Sequence, residues 1–105
     1  MSRENYFKAR VRSIRIALDG IRQVLLTQQN ARIHAVAALV VFLAAFLLDL
    51  SGQEWALLLL VVGFVWTAEI FNTVVEELVD EVSSEENPTA KRIKDISAGA
   101  VMISA

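Results

Sequence analysis

Cysteine is absent from the 105 residues, which removes both a disulfide framework and a thiolate metal site. There is one histidine, His34, with no second nitrogen ligand near it in sequence, so a zinc site is not expected. The four glycines are scattered, and none belongs to a glycine-rich phosphate loop; a nucleotide would have to be held by another route. Proline occurs once, as Pro88. No lysine or arginine lies between Arg32 and Lys91, so every basic residue is confined to one end or the other. No secretory signal is expected, because the N-terminus is amphipathic and no small-residue cleavage site follows a short apolar core.

What fills the chain instead is apolar. Hydrophobic residues make up 55% of it and the mean hydropathy is +0.49, a heavy load for one small domain and one that points towards lipid. The net charge of −2 conceals the asymmetry: Arg3, Lys8, Arg10, Arg12, Arg15, Arg22 and Arg32 precede the first apolar run, and Lys91, Arg92 and Lys94 come after the second. The connection between the runs, "DLSGQE", carries no positive charge. By the positive-inside rule it lies outside and both basic flanks lie in the cytoplasm.

Residues 6–28 predict an amphipathic helix. Apolar side chains at 7, 11, 14, 18, 21 and 25 form one stripe, with arginines on the other faces, which suits a helix lying in the membrane surface. The plainer alternative is a solvated helix packed on a soluble core. Two candidate membrane helices come next, at about 31–49 and 54–82, antiparallel because their connection is short; Trp55 suits an interfacial anchor. Residues 83–88 read as a cytoplasmic loop. From 89 to 105 a third apolar helix begins, and it reads as cut short because so few apolar residues span only half a hydrocarbon core. The small residues at 97–100 suit close packing on a neighbour.

The second run carries the chemistry. Glu69, Asn72, Thr73, Glu76 and Asp80 recur at spacings of three and four and share one helix face, opposite Ile70, Phe71, Val74, Val75 and Leu78. A charge at mid-membrane costs about 2.5 kcal/mol or more, so such groups face protein or water. A helix that has already left the bilayer accounts for Glu77, Asp80 and Glu81 as solvated acids, but it does not account for Glu69, which ends an uncharged stretch over 55–68. A partly buried carboxylate with no cation within a turn suits a general base. Glu76, two turns nearer the cytoplasm, suits Mg²⁺, a hard cation usually held by one or two carboxylates together with phosphates. Asn72 lies between them and can orient a hydroxyl or a carboxylate. Lys94 supplies a cation for phosphate oxygens, and Asp95 an acceptor. His34, at the start of an apolar run, reads as an interfacial or packed histidine rather than a ligand, and the N-terminal arginines as membrane-surface charges.

The string "AEIFNTVVEELVD", followed after a short loop by "NPTAKRIKDISAGAV", resembles the prokaryotic membrane diacylglycerol kinases and undecaprenol kinases. The likeness runs from about residue 15 to the end, and "NARIHAVAALVV" is similar to the family's entry into its first membrane helix. The resemblance implies an all-α membrane protein, a surface helix plus three membrane helices assembled as a homotrimeric bundle with composite active sites. It implies an inner-membrane enzyme, working on the cytoplasmic side, that moves the γ-phosphoryl group of ATP, with Mg²⁺, to a lipid alcohol; no nucleic-acid partner is expected. Carried over by residue, Glu69 matches the catalytic base, Asn72 a polar residue of the site and Glu76 a metal ligand. Lys94 and Asp95 match nucleotide contacts, and Glu85, Glu86 and Asn87 the loop over the nucleotide. The Pro and Ala-Lys of "NPTAKRIKD" look more like the undecaprenol-kinase branch. Two positions depart from the pattern: Gln28 stands where a second metal-binding glutamate is usual, and Ala9 where a nucleotide-contacting arginine is, with Arg10 or Arg12 as candidate substitutes. Two alternatives remain open: a non-enzymatic oligomeric scaffold glued by its polar face, and a slow, degenerate kinase relative.

Overall fold

A computed structural model describes residues 2–83, 85 and 87–105. Four α-helices succeed one another: α1 (Arg3–Thr27), α2 (Gln29–Leu47), α3 (Gly52–Val82) and α4 (Pro88–Ser104).

The helix ends are set by polar side chains. Ser2 caps α1 by accepting from the Asn5 N–H at 3.3 Å. Between α1 and α2 the polar stretch 27–30 interrupts the apolar pattern, and Gln28 turns extended, with φ −112° and ψ 116°. Its N–H still closes α1 on the Val24 carbonyl at 2.9 Å, while the Arg32 guanidinium reaches back to the Leu26 carbonyl at 3.2 Å. A cation there satisfies an orphaned carbonyl at the negative end of a helix. Ser51 and Glu54 form a reciprocal capping box at the start of α3. Just before it Asp49 takes a left-handed conformation, φ 54°, one of the few non-glycine residues that adopts it readily. At this end Phe42 stacks on Trp55, with centroids 6.3 Å apart, and Phe46 meets the same ring edge-on, which ties α2 to α3. Asn87 caps α4 through the Ala90 N–H at 2.8 Å, with Pro88 in the first turn where its missing N–H costs nothing.

Length separates the two central helices. The 19 residues of α2 rise about 28 Å, close to a hydrocarbon thickness, whereas the 31 residues of α3 rise about 46 Å and must overrun one. α4 packs mainly along α3. The molecule measures 48 × 46 × 21 Å, about two helix diameters in its thinnest direction.

Burial is inverted relative to a water-soluble chain. Among the described residues the buried side chains are Val24, Ala31 and Ala45, against polar Glu69, Asn72, Thr73 and Ser104. Phe46 and Leu47 are 80% and 87% exposed, and most of the apolar surface of α2 and α3 faces outward with them. An exposed apolar surface this extensive needs lipid or other helices against it. Both α2 and α3 are long and apolar enough to cross a membrane. On α1 the apolar stripe is also open, from Phe7 through Ile14 and Leu18.

Candidate active site

Over its middle turns the polar face of α3 is turned inward, whereas Asp80 near the end of the helix is exposed. Glu69 is 1% exposed, Asn72 6% and Thr73 4%. The Thr73 hydroxyl donates to the Glu69 backbone carbonyl at 3.1 Å, which disposes of its own donor within the helix. The Asn72 amide nitrogen donates to Glu76 Oε1 at 3.4 Å, one turn along the same face. The Asn72 Oδ1 is buried with no partner. Glu69, without a cation on its own helix, meets His34 from α2: Nδ1 stands 3.9 Å from Oε2, and the imidazole nitrogen is likewise buried and unpartnered. Ala31, completely buried one turn before His34, allows α2 this close. His34, read from the sequence as interfacial or packed, packs on Glu69, a pairing across 35 positions that periodicity does not reveal.

Further along α3 an open cleft of about 740 Å³ lies between its C-terminal end, the loop and the first turns of α4. Asp80, Ser83, Glu85, Asn87, Lys91, Lys94 and Asp95 line it, so Glu85, Asn87, Lys94 and Asp95 come together as one group. Glu86 lies outside the described residues. Two ion pairs cross the cleft lining: Lys94 holds Asp80 between α4 and α3, and Lys91 donates to Asp95 at 2.7 Å within α4. The loop is tied by hydrogen bonds of 2.8 Å from the Asn87 amide to the Ser83 hydroxyl and from that hydroxyl to the Glu85 carbonyl. Neither Asp80 as the partner of Lys94 nor Ser83 as the brace of the loop stood out in the sequence; the first contact depends on how α4 folds back, and the second is a local bond within a polar loop that has no periodic pattern to mark it. The cleft and Glu69 are separate: eleven residues of α3 put Asp80 about 16 Å along the axis from Glu69, with Glu76 between them.

A second groove, of about 340 Å³, runs between α1 and α3. Ala17, Gly20, Ile21 and Val24 line one side and Ile70, Thr73, Val74 and Glu77 the other. It opens beside the turn of α3 that carries Glu69. Gln28 is half-buried at the α1–α2 corner, and its side chain makes no capping bond. On α1, Arg10 is occupied with Tyr6, donating to its hydroxyl from Nε at 3.0 Å and Nη2 at 2.9 Å with the guanidinium over the ring. Among the described residues no three His, Cys, Asp or Glu side chains converge as a metal cage. An all-oxygen pair such as Glu76 and the unpartnered Asn72 Oδ1 matches the chemistry of Mg²⁺, which takes few protein ligands and completes its shell with phosphate and water.

Two long apolar helices around an inward polar face define an all-α membrane protein. The model of the prokaryotic diacylglycerol kinase family matches residues 15–105, and the chain belongs to that family of lipid kinases. It is 38% identical over 84 residues to an undecaprenol kinase of Bacillus subtilis, covering 80% of this chain and 68% of that protein. It is 38% identical over 94 residues to a diacylglycerol kinase of Synechocystis, covering 89% of this chain and 54% of that relative's length. With a diacylglycerol kinase of Escherichia coli K12 it shares 32% over 84 residues, 80% and 69% of the two chains.

Proposed function

We propose that this chain phosphorylates a membrane lipid alcohol, undecaprenol or diacylglycerol, with ATP as phosphoryl donor and Mg²⁺ as its cation. The observation that carries the reading is Glu69: a carboxylate 1% exposed, in a helix whose outer faces are apolar, turned towards other polar side chains. Measured from Trp55 as an interfacial anchor, Glu69 lies about 21 Å along α3 and Glu76 about 31 Å. With a hydrocarbon core of about 30 Å, Glu76 falls at the far boundary, where a lipid headgroup hydroxyl resides, and Glu69 about 9 Å inside it. The hydroxyl reaches Glu69 along the inward polar face of α3, where Asn72 and Thr73 replace acyl chains as its surroundings.

The chain's residues then divide the work. Glu69 accepts the proton of the lipid hydroxyl as its oxygen takes the phosphoryl group. Asn72 holds Glu76 and orients the acids. Glu76 and Gln28 hold the cation, and Lys94, Asp95, Glu85, Glu86 and Asn87 the nucleotide, with Lys94 exchanging Asp80 for phosphate oxygens. Bound MgATP supplies the transferable group and the charge that neutralises it. Phosphoryl transfer asks mainly for this positioning and electrostatic stabilisation. The groove between α1 and α3 receives the lipid, its hydroxyl end towards Thr73 and Glu69. We place α1 on the cytoplasmic surface of the inner membrane and the nucleotide cleft on the same side. A homotrimer supplies composite sites, in which one chain's cleft serves a neighbour's Glu69 across the 16 Å that separate them within a chain. Gln28 lacks the charge of a glutamate, which favours a weak hold on Mg²⁺ and slow turnover.

The test is a radiolabelled-ATP assay in mixed micelles against a panel holding undecaprenol and diacylglycerol, with thin-layer separation of products. Lipid-dependent product from either acceptor supports the reading. Saturable MgATP binding without product assigns the chain to degenerate relatives, and no binding at all to scaffolds.

A further inference from the structure

We infer that His34 is a positioning residue for Glu69, its imidazole holding one carboxylate oxygen so that the other is left for the lipid hydroxyl. The inference rests on the reading of Glu69 as the base and adds a residue to it. Three observations carry it. His34 Nδ1 faces Glu69 Oε2 at 3.9 Å, and the two side chains are 24% and 2% exposed. That nitrogen is buried without any hydrogen-bond partner. The other charged groups around this face have engagements of their own: Arg32 on the Leu26 carbonyl, Glu76 on Asn72 and Lys94 on Asp80; Glu77 lines the neighbouring groove.

An ionised carboxylate only accepts, and a neutral imidazole donates from one nitrogen alone. The complementary arrangement is therefore the tautomer with the proton on Nδ1. At 3.9 Å the pair is just beyond hydrogen-bond range, and a small rotation of either side chain closes it. With Oε2 so held, Oε1 keeps its lone pairs for the lipid hydroxyl. During transfer the lipid O–H bond breaks and its oxygen bonds to the γ-phosphorus as the bond to the ADP oxygen breaks. The proton passes to Glu69 Oε1 and leaves to water as the products depart, and His34 forms no bond to phosphorus. A base oriented by a third group is the general design for activated nucleophiles. A permanent cation in this place would suppress the base; a neutral imidazole orients it.

Because His34 is the only histidine in the chain, its ring nitrogens give an unambiguous signal. In micelles without nucleotide, ¹⁵N spectra should show a proton on Nδ1, and Glu69→Gln should shift the Nδ1 resonance. In kinetics, removing a group that orients another typically costs roughly 10- to 100-fold. His34→Leu should lower kcat by that factor with the KM for MgATP within about twofold, and His34→Asn, which keeps an N–H near the Nδ1 position, should recover most of it. In a Glu69→Gln background His34→Leu should cost nothing more, since the two act as one unit. An Nδ1 resonance indifferent to Glu69→Gln overturns the inference. So does full kcat in His34→Leu, or an effect on the lipid KM alone, which would make His34 a lipid contact. If Glu69→Gln instead keeps its turnover, the base assignment fails while the ring signal still reports the pair. If Glu69→Gln is inactive and His34→Leu is not, only the positioning role of His34 fails.

Discussion

Filling the α1–α3 groove separates stability from lipid use with opposite signs. A Cβ built on Gly20 meets nothing within 4 Å, so the backbone there accepts a side chain, and Gly20→Leu adds apolar volume to the lining of the groove. In the interior of α1 the exchange removes a glycine, which favours the helix by about 0.5–1 kcal/mol. Thermal unfolding in detergent should therefore occur at the parent's temperature or slightly above. The same side chain takes space from a lipid tail. Losing contact with two methylenes costs about 1.6 kcal/mol at ~0.8 kcal/mol each, or roughly 15-fold in kcat/KM for the lipid. The cleft that Lys94 lines shares no residue with the groove, so the KM for MgATP should stay put. The measurement is initial rate against the mole fraction of lipid in mixed micelles, at saturating MgATP, beside a melting curve. A folded Gly20→Leu protein with unchanged lipid dependence would show that the groove is not the lipid's path, and would remove the link between α1 and the reaction.

Glu69→Gln should lower kcat by about 10²- to 10⁴-fold, the range for a general base, with MgATP binding by calorimetry retained; turnover within tenfold of the parent defeats the base assignment. Gln28→Glu should lower the Mg²⁺ concentration for half-maximal rate, and an unchanged Mg²⁺ titration removes residue 28 from the metal site. Asn87→Ala loses both the α4 cap and the bond to Ser83. It should destabilise by about 0.5–2 kcal/mol in a denaturation series, and raise the KM for MgATP because the cleft loses its brace; a wild-type KM would separate the loop from the nucleotide.

Much of the architecture can be read in one dimension because the rules involved are local. Polar caps mark the helix ends: Ser51 with Glu54, Asn87 with Pro88. The change from apolar to polar at 27–30 is where α1 gives way to α2. The three-and-four spacing from Glu69 to Asp80 places five polar groups on one face wherever the helix lies. What that face meets is another matter. Asp80 looks like a solvated acid until α4 returns along α3 and brings Lys94 to it. Arg10 looks available as a substitute for the arginine missing at position 9, yet it is spent on Tyr6, four residues back. The cleft itself belongs to no single stretch of sequence.

Composition, spacing and capping thus determined an amphipathic helix, two apolar helices and the start of a third, and a polar face carrying a deep acid, because hydrophobic periodicity and helix termini depend on neighbours within a few residues. Tertiary structure alone decided that Glu69 faces His34, that Lys94 is held by Asp80, and that α4 closes a cleft against the end of α3. Those depend on which faces of separate helices come together, and pairs 14 or 35 residues apart have no local signal to announce them.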